Sequence, residues 1–123
     1  MIVGMGTDLV DVGRFRVALG RRATLAERIF TPDEREYCQG QHDPAESYAA
    51  RFAAKEAVMK ALGAGLGAFE FYDVSVTRAE SGAPTLVVAG KALTLADERG
   101  VTEWMLSLSH TATTAIAVVL ALG

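Results

Sequence analysis

The apolar positions change their period several times along the chain, and each change marks an element. Ile2 to Asp8 is a short apolar run ending at a carboxylate, which predicts a buried strand whose Gly4 and Gly6 let another backbone approach closely. Val12, Phe15 and Leu19 then recur at helical spacing, so a helix is expected from Val12 to about Leu19, with Asp11 as its cap and Arg14 and Arg21 turned away from the apolar face. Three capping boxes follow, Thr24 with Glu27, Thr31 with Glu34, and Asp43 with Glu46, and each should open a helix. The third helix is the longest, from Pro44 to about Leu62, where Gly63, Gly65 and Gly67 end it. Beyond the glycines the period falls to two. Asp73 to Arg78 and Thr85 to Ala89 form a predicted hairpin across Glu80 to Pro84; Lys91 to Arg99 reads as a short helix closed by Gly100; Trp104 to Ser109 and Thr114 to Leu122 form a last strand pair. The expected fold class is α+β, an antiparallel sheet packed on the long helix.

A length of 123 residues allows one core and not two, so residues 1–123 are read as a single domain. Half the residues are hydrophobic and 22% are charged, a balance that excludes disorder and a membrane bundle. Met1 to Gly6 lacks the basic segment and cleavage site of a secretory signal, and the apolar run from Ala112 to Gly123 is too short to span a bilayer. A cytoplasmic location without membrane insertion is the expectation. Cys38 is the only cysteine, which excludes an internal disulfide and a cysteine-based zinc cluster and suits a reducing compartment; nothing basic surrounds it to make it a nucleophile.

Charge changes the picture more. The chain carries a net −3, yet Val12 to Arg28 holds Arg14, Arg16, Arg21, Arg22 and Arg28 against Glu27 alone, a local +4 that leaves −7 for the remainder. A basic patch on an acidic protein points to an acidic protein partner rather than to nucleic acid, which asks for a larger positive excess.

The most informative stretch runs from Arg51 to Gly63. Phe52, Glu56 and Lys60 fall at i, i+4 and i+8 and so share one helix face, with Lys55 about 100° away. Alone, this is an ordinary solvated Glu–Lys pair. Two further segments alter that reading. Gly4-Met5-Gly6-Thr7-Asp8 with Arg14, the Arg51 to Gly63 helix with its Phe-x-x-Lys-Glu-Ala-x-x-Lys pattern, and Ser107-Leu108-Ser109-His110 occur in order, with Gly82-Ala83-Pro84 between the last two. In these motifs the chain resembles the phosphopantetheinyl transferase superfamily, in its holo-acyl carrier protein synthase branch, over essentially its whole length.

The resemblance implies transfer of the 4′-phosphopantetheine arm of coenzyme A to a carrier-protein serine, in the service of fatty acid synthesis. Attack on a pyrophosphate needs charge neutralised on two phosphates, which Mg²⁺ held by one or two carboxylates can supply. Asp8 and Glu56 are the implied ligands, and Lys60 the fixed positive charge at the leaving phosphate. Glu56 could take the serine proton directly or through water. His110 and Arg51 are expected near the 3′-phosphate of coenzyme A, with Ser109, Gly82 and Pro84 as further contacts. Gly63 could either turn its backbone N–H to a phosphate or simply end the helix. Arg14 and Arg21 are the expected docking contacts for an acidic carrier protein. Superfamily members made of two halves place their site between the halves, so a single half implies a homotrimer with shared sites. The strands near Thr85 to Ala89 and Thr114 to Leu122 are apolar enough to pack at such an interface. Two other functions use fewer of these residues. A non-catalytic module binding Mg²⁺ and coenzyme A leaves the basic helix unexplained, and a scaffold for acidic partners leaves Asp8, Glu56 and Lys60 unexplained.

Overall fold

The computed structural model describes all residues, Met1–Gly123. In chain order the elements are β1 (Ile2–Asp11), α1 (Val12–Arg21), α2 (Leu25–Ile29), α3 (Pro32–Gln39), α4 (Pro44–Ala61), a 3-10 turn (Phe71–Asp73), β2 (Val74–Arg78), β3 (Pro84–Val88), α5 (Gly90–Glu98), β4 (Glu103–His110) and β5 (Thr114–Leu122). The α+β class holds, but the strands divide into an antiparallel sheet of order β1-β5-β4 and a separate β2-β3 hairpin. No helix is long and apolar enough to cross a membrane.

Helix α4 is the centre of the molecule. Ala49, Ala50, Ala53, Ala54 and Ala57 are all buried along it, so it is covered nearly all round, as expected of a helix enclosed by other elements. Small side chains let those elements come close. On one side Ala115, Ala117, Val119 and Ala121 of β5 face it, and on another it meets Phe15, Ile29, Phe30 and Cys38 from α1 to α3. The closest approach is that of β1. A Cβ at Gly4 would stand 2.0 Å from the Ala61 carbonyl oxygen, and one at Gly6 would stand 1.9 Å from that of Ala57. Only glycine fits between strand and helix there. Trp104 packs against this core.

Several local expectations are corrected. β1 does not stop at Asp8: its partner β5 reaches Thr114, so pairing continues to Asp11 and leaves Asp8 inside the strand opposite Ala117. Asp11 does cap α1, accepting from the Arg14 N–H at 2.8 Å. Thr31 and Glu34 form the expected reciprocal capping box. The other two boxes are not formed. Thr24 is itself in a helical conformation and its hydroxyl caps nothing. The Asp43 carboxylate is taken by Arg16, which donates to both oxygens at 2.7 and 2.8 Å, and this hydrogen bonding pulls Asp43 below the usual carboxylate range. Tertiary pairing has displaced the local cap and ties α1 to the start of α4. At the other end of α4, Gly63 at φ 63° closes the helix: its N–H reaches the Lys60 carbonyl at 3.0 Å and that of Ala64 reaches Met59 at 2.9 Å. These are the two bonds of a Schellman ending.

Candidate active site

The sequence-predicted residues collect in two separate clefts. The first lies where β1 crosses α4. Because Gly4 and Gly6 seat β1 directly on the helix, the inward-facing Asp8 comes beside the Glu56 and Lys60 face. Lys60 Nζ donates to the Thr7 carbonyl at 2.9 Å and to Asp8 Oδ1 at 3.2 Å. Asp8 and Glu56 line one open groove together with Arg14, Phe15, Ala18 and Phe52. Partial burial, and then the charge of Asp8, push the Glu56 carboxyl upward, with Lys60 opposing. Two carboxylates thus crowd one groove, with the Lys60 ammonium bonded to Asp8. The aromatic of the motif, Phe52, is a wall of this groove: its ring packs on Phe15 at 5.1 Å and on Phe71 at 5.3 Å. Arg14 and Arg21 are exposed on the same stretch of α1, where they flank Val17 and Ala18 beside the groove.

Nowhere do three or more His, Cys, Asp or Glu residues gather as a metal cage. A pair of carboxylate oxygens fits a hard divalent cation that takes its remaining ligands from water and substrate phosphate, the usual habit of Mg²⁺. The donor set therefore suits the expected ion.

The second cleft is on the far side of α4 from that groove. It has a volume of about 330 Å³ and is lined by Arg51, His110, Pro84, Arg78, Tyr37 and Glu46, among others, and by neither Asp8 nor Glu56. Arg51 and His110, expected near one phosphate, are indeed neighbours here. Arg51 is only 3% exposed, stacked on the Tyr37 ring with its guanidinium carbon 4.2 Å from the ring centre. His110 Nδ1 lies 3.6 Å from Glu46 Oε2. Gly82, at φ 87°, makes the turn that brings Pro84 to the rim. Ser109 is not brought to this cleft: strand alternation turns it to the opposite face of the sheet from Leu108 and His110.

Lys55 received no role from its helical position, yet it is wholly buried. Its ammonium meets Glu34 Oε1 at 2.7 Å, the Phe71 carbonyl at 3.1 Å and the Val74 carbonyl. Burial lowers its affinity for the proton, and Glu34 opposes that shift. Cys38 is also fully buried, and desolvation raises its thiol to about 11, so it is no nucleophile at neutral pH.

Comparison with known proteins agrees with this fold. The family model described as the 4′-phosphopantetheinyl transferase superfamily matches residues 4–119. The holo-[acyl-carrier-protein] synthase of Beutenbergia cavernae is 50% identical over 121 residues, 98% of each chain, and that of Desulforudis audaxviator is 46% identical, covering 100% of this chain and 95% of its own. Among solved structures, the synthase of Neisseria meningitidis superposes with a TM-score of 0.91 at 33% identity over both chains in full. That of Helicobacter pylori, in complex with coenzyme A, gives 0.84 at 30% identity, over 96% of this chain and 99% of that one. The chain belongs to the 4′-phosphopantetheinyl transferase superfamily and, within it, to the holo-[acyl-carrier-protein] synthases. It is an enzyme of that class.

Proposed function

We propose that the chain moves 4′-phosphopantetheine from coenzyme A to a serine of an acidic apo-acyl carrier protein, in the cytoplasm, with Mg²⁺ held by Asp8 and Glu56 and adenosine 3′,5′-bisphosphate as the second product. The observation that carries this reading is the pairing of Asp8 and Glu56 in one groove beside Lys60 and Arg14. When bound there, the cation would neutralise oxygens of the pyrophosphate. The chain's own groups account for the rest. The carrier serine oxygen attacks the phosphorus that bears the pantetheine arm, a new P–O bond forms, and the bond to the bridging oxygen breaks. Glu56, directly or through one water, accepts the serine proton. Lys60 turns from Asp8 toward the leaving phosphate and stabilises its developing charge. No covalent intermediate on the enzyme is needed, and catalysis rests on positioning and electrostatics.

Arg14 at the rim of the groove and Arg21 about two turns further along α1 are suited to receive the carrier, so that its serine arrives beside Glu56. Arg51 and His110, with Gly82 and Pro84 at the edge of their cleft, would hold the nucleotide end of coenzyme A. Ser109, turned away from this cleft, would add a contact only toward a neighbouring subunit's site, and Gly63, whose N–H ends α4, offers none from that group. The nucleotide cleft and the carboxylate groove do not merge within one chain, which favours sites closed by a neighbouring copy; the homotrimer that the resemblance implies would supply one. Replacing Glu56 or Asp8 by Ala should lower the transfer rate at least about 10²-fold, with the circular dichroism spectrum unchanged. The mass of the carrier after incubation with coenzyme A and Mg²⁺ reads the reaction directly. Near-wild-type turnover by a folded Glu56→Ala protein would sink the assignment.

A further inference from the structure

We propose that Lys55 is a positioning residue of the carboxylate groove, which it reaches by holding the backbone of Phe71, whose ring backs the groove wall at Phe52. Lys55 precedes Glu56 in the chain yet points into the core, where none of it is exposed. Its ammonium carries three protons and meets three acceptors: Glu34 Oε1 at 2.7 Å, the Phe71 carbonyl at 3.1 Å and the Val74 carbonyl. Phe71 opens the 3-10 turn and Val74 follows it, so one side chain spans the turn and fixes it to the middle of α4. The Phe71 ring then lies 5.3 Å from that of Phe52, which lies 5.1 Å from that of Phe15. Phe15 and Phe52 line the groove with Glu56. Phe71 does not line it, and its ring acts on the groove only through Phe52.

A buried ion pair is a poor device for stability alone, because an apolar pair of similar volume often holds a core as well. It is a better device for position. An apolar side chain fills space without choosing where a carbonyl sits, whereas an ammonium with directional donors places two of them. This part of the chain needs such a hold. Residues 62–70, between α4 and the turn, form neither helix nor strand and include Gly63, Gly65 and Gly67, so the connection does not itself decide where Phe71 arrives. Once placed, Phe71 packs against both buried clusters of the molecule, the one between α4 and the sheet and the one among α1 to α3. A shift of its ring passes to Phe52, which stands one helical turn from Glu56 on the same face of α4. The inference rests on the reading of the carboxylate groove as the place of transfer.

Transfer kinetics and fluorine NMR on the assembled protein test it, the NMR with 4-fluorophenylalanine in place of Phe52. Lys55→Met combined with Glu34→Gln removes both donations to the turn and leaves no charge in the core. This paired variant should fold, move the fluorine signal of residue 52, and lower kcat about tenfold while KM for coenzyme A stays within about twofold, the pattern of a misplaced groove wall and not of lost substrate binding. Phe71→Ala should cause the same loss, and adding it to the paired variant should lower kcat by no more than about a further twofold, since both break one chain of contacts. Glu34→Gln alone leaves Lys55 its two carbonyls and should keep kcat within about twofold of wild type. An unmoved fluorine signal or an unchanged kcat in the paired variant overturns the role of Lys55, and so does a Glu34→Gln protein as slow as the paired one. Losses that multiply overturn the route through Phe71. Should the paired variant fail to fold, Phe71→Ala decides by the same two readings, a moved signal with a tenfold loss supporting the route and wild-type values overturning it. If wild type transfers nothing, it is the transferase reading that fails; the fluorine signal of the paired variant then decides alone, its movement supporting the hold of Lys55 on the wall and its constancy overturning it.

Discussion

Both oxygens of Glu34 are committed. Oε1 accepts from the Thr31 N–H at 3.1 Å and from Lys55 at 2.7 Å, and Oε2 accepts from the Val76 N–H at 3.0 Å. One buried carboxylate thus joins the start of α3 to the middle of α4 and to β2. Lys55 is the only positive charge in that contact, so removing it leaves an uncompensated anion in the core. Lys55→Ala should cost about 3–5 kcal/mol in urea denaturation, the scale for breaking one side of a buried pair, whereas Lys55→Met with Glu34→Gln should cost clearly less. A Lys55→Ala midpoint equal to wild type would remove this account. The sequence showed half of the arrangement. Glu34 was legible as a capping-box residue because its partner Thr31 is three residues away. Its bond to Lys55, 21 residues on, was not, since a helical period marks lysine as polar and says nothing of what buries it. Tyr37 and Arg78 were hidden for the same reason: a stack between α3 and β2 leaves no trace in the period of either.

At the scale of elements, the contact of β1 with α4 sets the distance between the two carboxylates. Gly6 was legible from sequence as a point of close backbone approach, and the helix face carrying Phe52, Glu56 and Lys60 was legible from spacing; what remained to be seen was that the first delivers Asp8 to the second. Gly6→Ala puts a methyl 1.9 Å from the Ala57 carbonyl oxygen, with backbone and not a yielding side chain in the way. Strand and helix must separate, which should cost about 2–3 kcal/mol or more. Activity should fall further than stability does, because the same separation moves Asp8 from Glu56. Enzyme assay at a temperature where the variant is fully folded distinguishes the two effects, and full activity there would show that the groove tolerates the shift. The failed caps mark where reading by element stops working. Asp43 has the right residue type and spacing, but a bidentate arginine from α1 outcompetes a single backbone N–H. The strand that runs on past Asp8 does so because β5 offers partners as far as Thr114, a fact belonging to the partner strand.

For the whole molecule, the outer face of the β1-β5-β4 sheet is the feature that a single chain leaves unexplained. Across it Leu120 pairs with Met5 on one side and Met105 on the other, Val118 with Thr7 and Ser107, and Ile116 with Leu9 and Ser109, so an apolar band crosses all three strands. Met5, Leu9 and Met105 are each more than half exposed there. A contiguous apolar face of this kind is what the proposed assembly would cover. Of the two strands expected to form it, Thr114 to Leu122 contributes this outward face while its other face is buried on α4, and the band adds β1 and β4, which sequence reading did not name. Ser109, turned away from its own chain's nucleotide cleft, lies at the edge of this band, where a neighbour would meet it. With the carboxylate groove and the Arg51–His110 cleft separate in one chain, the proposed trimer would close each site from two subunits. A head-to-tail contact repeated three times leaves no face open, as a closed ring requires. Activity should then fall on dilution. Glu56→Ala and His110→Ala proteins, each poorly active alone, should recover activity when unfolded, mixed and refolded together, up to about a quarter of the sites under random assembly, because one chain can then supply Glu56 and the next His110. Chains that carried both clefts' functions within themselves would show no such recovery. Sedimentation equilibrium under assay conditions is the independent check: an active monomer would overturn the shared site while leaving the carboxylate chemistry in place.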